Sequence, residues 1–125
     1  MHRILLREVV IDVPSDDLQS SRTFWSAALL AEAHTVQGHR EFVGLERPAA
    51  LSHVGLQDIG SGPARLHLDI ETDDVEAEVA RLTGLGAVEQ SRQRSWVVMA
   101  DPAGLLFCVT PPDTPEFAEK AREVS

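Results

Sequence analysis

The chain has 125 residues, 43% of them hydrophobic and 25% charged, with a formal net charge of −9. That length suits one domain with a real core. The charge argues against nucleic acid or an anionic membrane as partner, because both recruit basic blocks, and here Lys120 and ten arginines are scattered along the chain.

No apolar run approaches the roughly 20 residues of a membrane span. The N-terminal MHRILLREVV has too short an apolar part for a signal peptide, and the single Cys108 has no internal disulfide partner. A cytoplasmic location is therefore expected.

The first element is a strand over 3–13. Val9, Ile11 and Val13 fall on one face of it, and Glu8, Val10 and Asp12 on the other. Pro14 ends it, and Ser15-Asp16-Asp17 offers capping oxygens to a helix over 18–30, with Leu18, Trp25 and Leu29 on one stripe. Phe24 and Trp25 are read as core packing rather than a ligand platform.

Three short strands follow, near His34–Gln37, Glu41–Glu46 and Leu51–Asp58, with Pro48 as a breaker. Gly60-Ser61-Gly62-Pro63 is the clearest loop and the seam of the chain.

After the seam the pattern restarts. A strand over 64–71 puts Leu66, Leu68 and Ile70 on one face and Arg65, His67 and Asp69 on the other. Asp73 with Glu76 reads as a capping box for a helix carrying Val75, Val79 and Leu82, which Gly84 or Gly86 ends. Strands are expected at 87–91, 94–100 and 105–110, the last two joined through Asp101-Pro102-Ala103-Gly104. Beyond Pro111-Pro112 the tail is expected to form a short, weakly attached helix.

Ile11-Asp12-Val13 with Asp16-Asp17 recurs as Leu68-Asp69-Ile70 with Asp73-Asp74, at about half the chain length. The order is thus βαβββ twice. This predicts a single α+β domain over 1–125, with module one at about 3–59, module two at about 64–112 and a C-terminal tail at 113–125.

Three segments carry a resemblance: VVIDVPSDD…FW (Val9–Trp25), HLDIETDDVEAEVARLTGLGAV (His67–Val88) and SWVVMADPAGLLFCV (Ser95–Val109). In this order and spacing the chain resembles the vicinal oxygen chelate superfamily, in its glyoxalase-like and bleomycin-resistance-like branch. The resemblance implies two βαβββ modules forming a glyoxalase/bleomycin-resistance/dioxygenase-type cup with helices outside. Ile11, Val13, Leu68 and Ile70 would then pack under the helices, each contributing roughly 1.5–3 kcal/mol when fully buried. Glu8, Val10, Asp12, Arg65, His67 and Asp69 would face an open, hydrated or ligand-filled cup.

Metal-dependent members place His, Gln or Glu on four inner strand faces. The resemblance carries these positions to Glu8 or Val10, to Gln57, to His67 (Arg65 in a slipped register) and to Cys108, where the family usually has Glu. A thiol there departs from the oxygen and imidazole donors of octahedral sites, and Cys108 in LLFCV reads as a small buried hydrophobe. No cofactor is therefore expected. If a divalent metal is present, Glu8, Gln57 and His67 are the residues to hold it.

His34, His39 and His53 lack ligand spacing, and Arg92, Arg94 and Trp96 read as a solvated rim, with holding an anionic substrate as the alternative. No nucleophile elbow, phosphate loop or C-x-x-C occurs. Asp12 and Asp69, related by the repeat, are weighed as a general acid and base against a plain hydrogen-bonding role.

The expected function is binding of a small organic ligand in the cup by Glu8, Asp12, Gln57, His67, Asp69, Trp96 and Cys108, without a complete metal site and with no catalytic residue assigned. The alternative is a metal-dependent lyase, isomerase or dioxygenase acting on a small carbonyl or aromatic substrate. A homodimer that covers exposed sheet edges is also expected.

Overall fold

The computed structural model describes residues 1–46 and 53–124. Its strands are β1 (Arg3–Val13), β2 (Glu32–Val36), β3 (His39–Glu46), β4 (Val54–Asp58), β5 (Arg65–Thr72), β6 (Val88–Arg92), β7 (Val97–Ala100), β8 (Leu106–Thr110) and β9 (Arg122–Glu123). The helices are α1 (Leu18–Ala28), entered through a 3-10 turn at Ser15–Asp17, α2 (Val75–Gly84) and α3 (Phe117–Lys120). Among the described residues no helix is long and apolar enough to cross a membrane. Pro48 and the start of the strand expected from Leu51 lie outside the described residues.

Contacts divide the chain into two compact units, Glu8–His67 and Met1–Arg7 with Leu68–Ser125. In the first unit the strand order is β2-β3-β4-β1. β1 runs parallel to β4, and β3 is antiparallel to both of its neighbours. One sheet face is apolar: Val43, Leu45, Val54 and Leu56 are buried there, with Ile11, Leu18, Trp25 and Leu29 packed against them. The alternation of β1 and the helical stripe of α1 meet at this core, as expected.

Phe24 does not join the core. It sits one residue, about 100° around the helix, from Trp25 and is 60% exposed, touching Trp25 edge-on at 5.1 Å. Leu30 follows α1 with φ of 56°, a left-handed position that glycine usually fills.

The second unit repeats the plan as β5-β8-β7-β6, with β5 parallel to β8 and Val79 of α2 clustered with Val97, Met99, Phe107 and Val109. Leu68 and Ile70 pack into this cluster. The βαβββ repeat seen in the sequence is thus a repeat of strand pairing.

Some local features differ from expectation. The cap of α2 is Asp74, whose side chain accepts from the Ala77 N–H at 3.0 Å. Asp73 is taken up by the backbone N–H and Nε of Arg3, at 2.7 and 3.0 Å. β7 begins only at Val97, because Gln93 N–H bonds the Trp96 carbonyl at 2.9 Å and closes a turn. The tail is anchored rather than loose: Phe117 is buried, the Arg3 guanidinium lies 5.0 Å from its ring centre, and β9 pairs with Arg3 and Ile4.

α2 also buries Glu78 completely. Burial pushes its pKa up, but hydrogen bonds from Arg81 (2.6 and 2.8 Å) and His2 (2.9 Å) outweigh this and hold it below its ordinary 4.5. A carboxylate depressed in the folded state stabilises above its unfolded pKa and loses that contribution as pH falls through the folded value. Urea unfolding between pH 6 and pH 3 should therefore show stability falling below about pH 4.5. Glu78→Gln should flatten that acid arm, and an unchanged arm would assign it to other carboxylates.

Candidate functional site

The polar face of the first unit follows from strand parity. Glu8, Val10 and Asp12 project opposite to the α1-facing residues of β1. The parallel register aligns Val10 with Gly55 and Asp12 with Gln57, and β3 then adds Gly44 beside Gly55 and Phe42 beside Gln57.

Asp12 is the centre of this face. It is 1% exposed, and both of its carboxylate oxygens lie 2.9 Å from His67 Nδ1. Arg65 Nε donates to Oδ2 at 3.0 Å, with its side chain still 48% exposed. An ionised carboxylate only accepts, so Nδ1 of His67 carries the hydrogen, and in the neutral ring the lone pair falls on Nε2.

A buried anion is tolerable here because a guanidinium and an N–H together satisfy it. The expected open, hydrated arrangement is therefore corrected at Asp12, which is buried and paired.

The structure thus joins Asp12 and His67, and adds Arg65. Sequence parity had placed Arg65 on this face, but no local signal ties it to a residue so far away in the chain. Glu8 and Gln57 are half-buried on the same face, and the Glu8 carboxylate lies over Gly55.

In the other unit Asp69 and Cys108 are register partners on β5 and β8. Trp96 is half-buried in the turn before β7. Arg92 stays partly exposed, as a rim residue, but its guanidinium is occupied by Glu76 and by Glu89 at 2.9 Å, which raise its pKa further and disfavour the alternative of an anionic substrate there. A surface depression lined by Met1, His2, Asp73, Asp74 and Ala77 contains none of the candidate residues.

The donor chemistry bears on the divalent metal that the fold family implies. Carboxylate backing of His67 Nδ1 suits a metal-bound imidazole. The resemblance, however, carries the metal-holding positions to Glu8 or Val10, to Gln57, to His67 or Arg65, and to Cys108. A soft thiol in place of the last carboxylate does not fit an oxygen-rich octahedral ion.

A glyoxalase-like domain family profile matches residues 8–110. Methylmalonyl-CoA epimerase from Mycobacterium tuberculosis is 19% identical with a TM-score of 0.60, covering 91% of this chain and 91% of that one. A Streptomyces coelicolor methylmalonyl-CoA epimerase variant in complex with 2-nitronate-propionyl-CoA is 17% identical with a TM-score of 0.58, covering 87% and 97%. A glyoxalase/bleomycin resistance protein/dioxygenase superfamily member from Vibrio splendidus 12B01 is 22% identical with a TM-score of 0.52, covering 86% and 98%. At these identities the similarity concerns the fold. No curated protein matches the chain.

Proposed function

The chain belongs to the glyoxalase-like domain family, and from that premise we propose that it binds a small organic anion on the polar face of β1, β4 and β5. One observation carries this reading: Asp12 is buried and holds both Arg65 and His67 in place. Arg65 spends Nε on Asp12 and keeps its remaining guanidinium N–H groups for an incoming carboxylate. Its partial exposure gives that carboxylate access.

The tautomer fixed by Asp12 favours a second reading, catalysis by proton exchange. His67 Nε2 is a base suited to take a proton from the carbon beside a ligand carbonyl. The negative charge that develops is stabilised by Arg65. Two of the structural neighbours are epimerases by name, which supports this reading.

Thermal shift with small mono- and dicarboxylates tests the first reading. A saturating carboxylate should raise the melting temperature by mass action, by about 2.7 kcal/mol of stabilisation at 100 times Kd. Arg65→Gln should abolish the effect, and equal stabilisation by the matching neutral amides would overturn it. Deuterium uptake at the α-carbon of an acyl thioester separates enzyme from binder: uptake lost in His67→Gln with binding kept marks the enzyme.

A further inference from the structure

The polar face of the unit Glu8–His67 carries a phenyl ring. Val43 and Leu45 of β3 are buried in the core under α1, so strand alternation turns Phe42 and Gly44 to the opposite face. Phe42 is aligned with Gln57, and Gln57 with Asp12. Register partners share a sheet face, so Phe42, Gln57 and Asp12 form one cross-strand row.

The adjacent row is filled. Gly44 and Gly55 lie opposite each other there. A methyl group at position 44 would fall 2.3 Å from Cε1 of His34, and one at position 55 would lie 3.0 Å from Glu8 Oε2. The His34 ring and the Glu8 carboxylate therefore occupy the space over the two glycines and border the row of Phe42.

Phe42 is half-buried and takes no part in the core under α1. Phe107 and Phe117, by contrast, are buried. Much of the stabilisation that a phenyl ring offers comes from burying its faces, and a ring set beside glutamine and aspartate forgoes part of it. The His39 ring meets Phe42 at 5.8 Å with a tilt of 57°, which is not a parallel stack over a ring face. An aromatic wall with a few polar groups along the same lane is how small-molecule sites combine affinity with orientation.

Arg65 Nε donates to Asp12 Oδ2, so its guanidinium stands at the Asp12 end of the row. Phe42 lies two strands away from Asp12, which is about 10 Å.

We propose that Phe42 is a specificity-determining residue that receives a planar aromatic ring, so that the ligand class is an arylalkanoate with its carboxylate on Arg65 and its ring about 10 Å away against Phe42. This rests on the reading of Arg65 as the anion site.

Calorimetric titration with 4-phenylbutanoate, 4-cyclohexylbutanoate and octanoate tests it. The first two share carboxylate, linker and carbon count and differ in the aromatic ring. The wild type should bind 4-phenylbutanoate about fivefold more tightly than its saturated counterpart, the scale of one aromatic pair. Phe42→Leu should reduce that preference to within about twofold while octanoate affinity stays unchanged. Phe42→Tyr keeps the ring and should keep the preference.

A wild type with no preference, a leucine variant that retains it or a tyrosine variant that loses it overturns the ring subsite. Octanoate binding that is unaffected by Arg65→Gln overturns the anion site instead, so the two failures are distinguishable.

Discussion

Glu71→Ala is expected to lower the unfolding free energy by about 3 kcal/mol or more and to release the C-terminal tail. Glu71 lies on β5 with no solvent exposure. Its Oε2 accepts the backbone N–H groups of Asp113 at 2.5 Å and Thr114 at 2.9 Å, and Oε1 accepts the Thr114 hydroxyl at 2.8 Å. Hydrogen bonds to a charged acceptor are worth about 1.5–3 kcal/mol each, and three on one carboxylate are not additive.

Removing the carboxylate strands three part-buried donors, which recover water only if the tail peels away. Peeling also uncovers Phe117, which is 4% exposed, and opens the β9–β1 pairing. Glu71→Gln keeps the shape but sets an amide NH2 against N–H donors, so it should fall between wild type and alanine. Urea unfolding measures the loss, and limited proteolysis after Thr114 reads the release. An alanine variant within about 0.5 kcal/mol of wild type would show that the tail is held by Phe117 alone.

What the sequence made legible were properties that a few neighbouring residues decide. Alternation in β1 and β5 separated Ile11, Leu68 and Ile70 from Asp12 and His67, because side-chain direction in a strand is local. The echo of Asp12 at Asp69 marked a true structural repeat, since β1 with β4 and β5 with β8 pair in the same parallel manner.

Partners across the chain were not legible. Asp73 and Asp74 are equally able to cap α2, and Arg3, seventy residues earlier, decides between them by engaging Asp73. Nothing next to Glu71 in the chain marks it as buried, because its partners Asp113 and Thr114 lie more than forty residues on. At the candidate site the same limit applies to Arg65, whose role depends on Asp12. Gly44 and Gly55 carried no signal because neither sits in a turn; only the His34 ring and the Glu8 carboxylate lying over them give a reason for glycine.

Asp12→Asn should separate the two properties that the buried carboxylate confers on its partners. In the folded chain Asp12 competes with any incoming anion for the Arg65 guanidinium. Neutralising it removes that competition while the amide oxygen still accepts from Arg65 Nε and holds it in place, so carboxylate binding should hold or tighten rather than weaken. For His67 the effect runs the other way. The asparagine oxygen is claimed by the Arg65 Nε donor, which leaves the NH2 facing Nδ1, so the hydrogen moves to Nε2 and the base is lost.

Deuterium uptake catalysed by the protein should consequently fall at least about 100-fold, the scale of a positioned general base, while octanoate affinity does not drop. Stability should decrease by about 1–3 kcal/mol, because a buried charge-assisted pair with His67 becomes a neutral one. Binding that disappears together with exchange would mean that Asp12 merely holds the strands together. Exchange within twofold of wild type would remove His67 as the proton carrier and leave the chain a binding protein.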